Sequence, residues 1–121
     1  MENSPSPLIH VVDDEASLRR ALVFLLESAG WQVTAHESAE AFLAAWTEPA
    51  PPGCLILDIR MPLMSGLELQ RILNERNINL PVIFLTGHAD VSIAVQAMKH
   101  GACELIEKPF KDQVLLDAVG Q

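Results

Sequence analysis

Short apolar runs alternate with longer stretches whose apolar residues recur at helical spacing, from one end of the chain to the other. The runs Leu8–Val12, 54–58, Val82–Thr86 and 103–107 are brief and bounded by polar or turn-forming residues, the pattern of buried strands. Residues 31–35 alternate instead, which predicts a shorter, more exposed strand. Between the runs lie five helical stretches. Residues 15–29 carry Leu18, Leu22, Leu25, Leu26 and Ala29 on one face, with Gly30 as the stop. Ser38 caps a helix reaching Thr47, with Phe42, Leu43 and Trp46 inward. Ser65 or Gly66 opens a third, with Leu69, Ile72 and Leu73 inward and residues 74–79 closing it. Asp90 caps a fourth through Lys99, with Val91, Ala94 and Met98 on one side and Gly101 at its end. Residues 110–119 make the last. Residues 48–53 form a proline-rich loop and 59–64 an irregular one, while Pro81 starts the fourth strand, where its missing N–H is tolerated.

Five βα units in succession predict one parallel sheet with helices on both faces and right-handed crossovers. In such a sheet ligands bind outside the carboxyl ends of the strands. Each strong run ends in a polar group: Asp13-Asp14, Asp58, Thr86 and Lys108-Pro109. An acid pair, a lone acid, a hydroxyl and an amine are therefore expected on one edge.

Composition narrows the picture. The chain has 121 residues, half of them apolar, enough for one domain with a core over 8–121. Residues 1–7 are polar and proline-rich and read as a flexible lead-in. No stretch is long and apolar enough to span a membrane and none reads as a signal peptide, so a cytoplasmic location is expected. The net charge of −8, with eight Lys and Arg scattered, argues against nucleic-acid binding by this domain. Cys54 and Cys103 read as free core residues rather than a disulfide.

The edge set has a definite chemistry. Asp13, Asp14 and Asp58 would crowd three carboxylates, which resist joint ionisation unless a cation offsets them. Hard oxygen donors favour Mg²⁺, with Mn²⁺ as a substitute. The competing role for an acid pair after a strand is a helix N-cap, which stays open for Asp14. A carboxylate also serves as nucleophile to form an aspartyl phosphate, and Asp58 stands alone at the end of the most central run. Lys108 would act as a point charge on phosphoryl oxygens. Thr86 would donate its hydroxyl, and Gly87 leaves room beside it.

These motifs, in this order, resemble the response-regulator receiver domains of bacterial two-component systems. The likeness rests on Asp13-Asp14, the run from Asp58 through Arg60, Met61, Pro62 and Ser65 to Gly66, then Thr86-Gly87 and Lys108-Pro109-Phe110. The wording of the Asp58 loop and of Glu107-Lys108-Pro109-Phe110 is most similar to the FixJ-type branch. The resemblance implies a flavodoxin-like doubly wound (βα)5 fold with strand order 2-1-3-4-5. It implies Asp58 as acceptor from a sensor histidine kinase, with Thr86 and Lys108 as phosphoryl ligands. It implies Mg²⁺ held by Asp14, Asp58 and the Arg60 main-chain carbonyl, with Asp13 acting through water. It also implies a cis Lys108–Pro109 bond, which would aim Lys108 into the site.

Arg60 and His88, two residues beyond Asp58 and Thr86, flank the expected route of attacking water and are expected to tune phosphoryl lifetime. Leu105 departs from the family, which carries an aromatic switch residue there. The early end suggests a receiver excised from a transcriptional regulator with a C-terminal DNA-binding domain, dimerising when phosphorylated. A stand-alone receiver acting by protein binding is the alternative. A Mg²⁺-dependent phosphohydrolase is a rival of another class, but Arg60 stands where such enzymes carry a second acid, and no cap insertion is present. His10 is expected as a satisfied core or edge histidine, and His36 and His100 show no metal-ligand spacing. Trp31, Trp46, Met61, Met64 and Met98 are expected to pack.

Overall fold

The computed structural model describes residues 7–99, 101 and 104–120, apart from the side chains of His88 and Ala97. The expectations for residues 1–6, His100 and Cys103 lie outside the described residues. Five strands alternate with five helices: β1 (Leu8–Val12), α1 (Ala16–Ser28), β2 (Gln32–His36), α2 (Ala39–Ala45), β3 (Gly53–Asp58), α3 (Gly66–Glu75), β4 (Val82–Thr86), α4 (Val91–Lys99), β5 (Glu104–Glu107) and α5 (Asp112–Val119). The strands form one parallel sheet in the order β2-β1-β3-β4-β5, a flavodoxin-like α/β fold. No helix among the described residues is long and apolar enough to cross a membrane.

The pleat divides the apolar residues between two cores. Val12, Leu55, Leu57 and Phe84 face α2, α3 and α4, meeting Phe42, Leu69, Leu73 and Ala94. Their neighbours Ile9, Val11, Ile56, Ile83 and Leu85 face the other way, onto Leu22 and Leu26 of α1 and Leu115 and Val119 of α5. Burial on both faces explains why β1, β3 and β4 read as continuous apolar runs. The edge strand β2 is only half-buried, as its alternation predicts.

Local chemistry sets the helix ends. Ser38 accepts from the Ala41 N–H at 3.0 Å. Ser65 and Glu68 form a reciprocal capping box at the start of α3. At the close of α1, Gly30 takes a φ of +96°, and the N–H groups of Gly30 and Trp31 reach back to the carbonyls of Glu27 and Leu26. Asn77 does the same service after α3.

Several details differ from the sequence reading. β3 begins at Gly53 rather than Cys54, because this residue pairs with Leu8 so closely that a Cβ would lie 1.8 Å from the Leu8 carbonyl oxygen. Neither aspartate of the pair caps α1: Glu15 holds the N-cap position without a side-chain bond. The Asp90 carboxylate, immediately before α4, is engaged by Arg60 across the loops, a partner the sequence reading did not name. Met98 is 40% exposed and Ala29 is exposed, so neither is core. α5 starts at Asp112, since Phe110 packs into the α1/α5 core ahead of the Lys111 N-cap.

Candidate functional site

β1, β3, β4 and β5 end side by side, and their last residues converge. Asp13, Asp14 and Asp58 each offer a carboxylate oxygen within 4.8 Å of the others. Asp58 belongs to β3, the central strand, paired through Leu85 to β4. Lys108 follows β5; its N–H donates to the Thr86 carbonyl at 2.7 Å and its Nζ donates to Asp58 Oδ1 at 3.3 Å. The Lys108–Pro109 bond is cis, as the resemblance implies. Thr86 is buried at the end of β4, and its hydroxyl donates to the Gly87 carbonyl at 3.1 Å rather than to Asp58.

Asp13 is 1% exposed. Its Oδ1 accepts from the Glu15 N–H at 2.9 Å, while its Oδ2 is buried without a partner. Arg19 does not relieve it, because the guanidinium donates to the Asp13 main-chain carbonyl. Burial pushes the Asp13 carboxyl up to about 6; the Glu15 N–H pulls it down, and the Asp58 charge pushes it further up. Burial also raises Asp58, opposed by the Lys108 ammonium and the Arg60 N–H, and helped by Asp14. Three carboxylates against one ammonium, with the Asp13 Oδ2 buried and unpartnered, make a donor set that fits a hard divalent cation.

Gly66 fixes the floor. Its N–H donates to the Ile59 carbonyl at 2.9 Å, and a Cβ there would lie 2.3 Å from the Asp58 carbonyl oxygen. The start of α3 therefore seats directly on the backbone of the central acid. In the same loop Leu63 is 92% exposed and takes a φ of 66°, a conformation costly for a leucine.

Arg60 reaches over this edge. Its side chain is 75% exposed yet donates from Nε (3.0 Å) and Nη2 (2.5 Å) to both oxygens of Asp90, tying the β3–α3 loop to the turn before α4. That pairing holds the Asp90 carboxyl below the usual carboxylate range and raises Arg60. Nothing local in the sequence signals a partnership between residues thirty positions apart. His88 opens a 3-10 turn at His88–Asp90. Leu105 is half-buried, paired with Phe84 and packed against the α2–α4 core.

His10 diverges from expectation. His10 is buried, but neither ring nitrogen has a hydrogen-bond partner, so it is not satisfied. His36 lies against it across β1 and β2. Cys54 is buried in the α1/α5 core, as expected.

Residues 9–120 match the family pattern described as the response regulator receiver domain. The transcriptional regulatory protein FixJ of Azorhizobium caulinodans is 51% identical over 111 residues, covering 92% of this chain and 52% of its own. Nodulation protein W of Bradyrhizobium diazoefficiens is 47% identical over 118 residues, covering 98% of this chain and 52% of its own. A crystal structure of FixJ-N superposes with a TM-score of 0.87 at 48% identity, covering 99% of this chain and 93% of that one. The chain spans about half the length of the curated relatives it matches.

Proposed function

The chain belongs to the response regulator receiver domain family, and from that premise we propose that it accepts a phosphoryl group on Asp58 from a sensor histidine kinase and passes the signal on by a change of surface. The role is regulatory. The observation that carries this reading is a buried carboxylate at the end of the central strand, with a lysine ammonium 3.3 Å away and two further carboxylates beside it.

The Asp58 carboxylate oxygen attacks phosphorus. The bond from phosphorus to the kinase imidazole nitrogen breaks, and that nitrogen keeps the electron pair. Lys108, already on Asp58 Oδ1, stays with the acyl phosphate as a fixed positive charge. Asp14, Asp58 and the Arg60 carbonyl, with Asp13 through water, would hold Mg²⁺, whose charge would offset that of the phosphoryl group. Thr86 turns its hydroxyl from Gly87 to the new oxygens, a charge-assisted bond in place of a neutral one. Leu105, behind Thr86 on the neighbouring strand, fills the vacated space in place of an aromatic ring. Arg60 and His88 border the approach of water and set how long the acyl phosphate lasts.

The acidic domain offers no counterion-release contribution to DNA binding. Output runs through homodimerisation, and through a C-terminal DNA-binding domain of a longer regulator, in keeping with the half-length coverage of relatives named as transcriptional regulators. Incubation with Mg²⁺ and acetyl phosphate tests the core of this reading by intact mass. The wild type should gain one acid-stable, base-labile phosphoryl group and Asp58→Asn none. Equal labelling of the Asn variant would overturn it.

A further inference from the structure

Arg60 and Asp90 join the loop after β3 to the turn after β4. Arg60 follows the central acid by two positions, and its main-chain N–H bonds to the Asp58 carboxylate. The base of its side chain is therefore fixed at the site. The guanidinium, on a side chain 75% exposed, spends Nε and Nη2 on the two oxygens of Asp90, whose side chain is 11% exposed. Asp90 is seated in turn on the end of β4. Its N–H donates to the Gly87 carbonyl at 3.0 Å, the same oxygen that accepts from the Thr86 hydroxyl at 3.1 Å. The pair also lies within the field of the site: the Asp58 charge acts on the guanidinium, and the Lys108 charge acts on Asp90.

Phosphorylation changes what this arginine meets. The acyl phosphate replaces one negative charge with a group of roughly −2 that carries three strong acceptor oxygens. A guanidinium presents a fork of donors that suits phosphate as well as carboxylate. An ion pair with an exposed partner is weak and opens at little cost. The phosphoryl group also draws the Thr86 hydroxyl away from the Gly87 carbonyl, which loosens the turn that carries Asp90. Lys108 and the acids of β1 hold the protein side of Asp58, so the exposed Arg60 stands on the side from which water comes.

We propose that Asp90 is a positioning residue that competes with the phosphoryl group for the Arg60 guanidinium, and so shortens the life of the acyl phosphate. The inference rests on Asp58 being the acceptor. In hydrolysis a water oxygen attacks phosphorus and the bond to the Asp58 carboxylate oxygen breaks. That oxygen keeps the electron pair, and both water protons leave with the phosphate. Arg60 on the phosphoryl oxygens covers the approach of water; Arg60 on Asp90 leaves it open.

The test labels the whole chain with Mg²⁺ and acetyl phosphate, removes the donor, and follows the decay of the label by intact mass. Asp90→Asn should lengthen the half-life by about 3-fold, the scale of one exposed ion pair. In an Arg60→Ala background the same change should have no effect. Asp90→Glu keeps a carboxylate and should stay near the wild type. A spectroscopic reading needs no variant: the Arg60 side-chain Nε signal of the wild type should move when beryllofluoride and Mg²⁺ occupy Asp58, and it should move further in Asp90→Asn. An Arg60 signal blind to beryllofluoride would overturn the proposal. So would a half-life in Asp90→Asn equal to or shorter than that of the wild type, or a lengthening that survives without Arg60. Those outcomes leave Asp58 as the acceptor, whereas a wild type that takes no label would overturn both readings.

Discussion

Replacing Asp13 by Asn should stabilise the domain, and the gain should depend on pH. The carboxyl is raised from 3.8 to about 6 by burial and by the neighbouring Asp58 charge. A shift of that size corresponds to about 3 kcal/mol between the two protonation states. The native state holds this proton more tightly than the unfolded chain. Stability is therefore full below about pH 4, falls as pH rises through about 6, and stays lowered above it. Asn is neutral throughout. Its Oδ1 still accepts from the Glu15 N–H, and its amide nitrogen takes the place of the buried, unpartnered Oδ2 without adding charge to the carboxylate cluster. At about pH 8 the variant should be more stable by about 2–3 kcal/mol, a rise of roughly 10 °C in Tm for a domain of this size. Near pH 4 the two should converge. Mg²⁺ should raise the Tm of the wild type and narrow the gap, because a cation relieves the same repulsion. Calorimetry across this pH range, with and without Mg²⁺, is the assay. A gain of equal size at every pH, or a loss, would refute the electrostatic reasoning.

Three further outcomes follow from other parts of the molecule. His10 is lowered from 6.5 to about 4, so stability is full above about pH 6.5 and is lost as pH falls through about 4, by about 3 kcal/mol in all; in an Asp13→Asn background, free of the opposing slope, His10→Phe should flatten the urea midpoint against pH, and an unchanged slope would contradict this. Gly66→Ala pushes a Cβ against the Asp58 carbonyl and should cost more than about 2 kcal/mol in denaturant unfolding and reduce labelling by acetyl phosphate, whereas an unchanged midpoint would remove Gly66 from the site's framework. Leu105→Phe should strengthen self-association in beryllofluoride by about 1 kcal/mol, read by sedimentation, because a ring fills more of the space behind Thr86; no change would mean that the signal leaves by another surface.

The site's main members were legible because strand ends are legible. An apolar run long enough to be buried on both faces also marks where it stops, and Asp13, Asp58, Thr86 and Lys108 stand at those stops. Their gathering on one edge then follows from parallel topology. Partnerships that depend on loop paths were not legible. Arg60 finds Asp90 only after two loops fold toward each other, and Asp90 read as a cap because its place before a helix fits that role equally well. The closeness of Gly66 to Asp58 is likewise invisible in a residue that also reads as an ordinary helix start. His10 was misjudged for a related reason. Pattern assigns a side chain to a face of the sheet, but not the neighbours that would pair with it, and here those neighbours are Phe42 and Trp46 rings and another imidazole.

The claim on which the account turns is that Asp58, and neither acid of the β1 pair, takes the phosphoryl group. Treating the labelled protein with borohydride reduces an acyl phosphate to the alcohol, converting a phosphorylated aspartate to homoserine, and peptide mass mapping then reads its position. The account predicts homoserine at position 58 alone. Conversion at position 13 or 14, or labelled protein with none at 58, would contradict it.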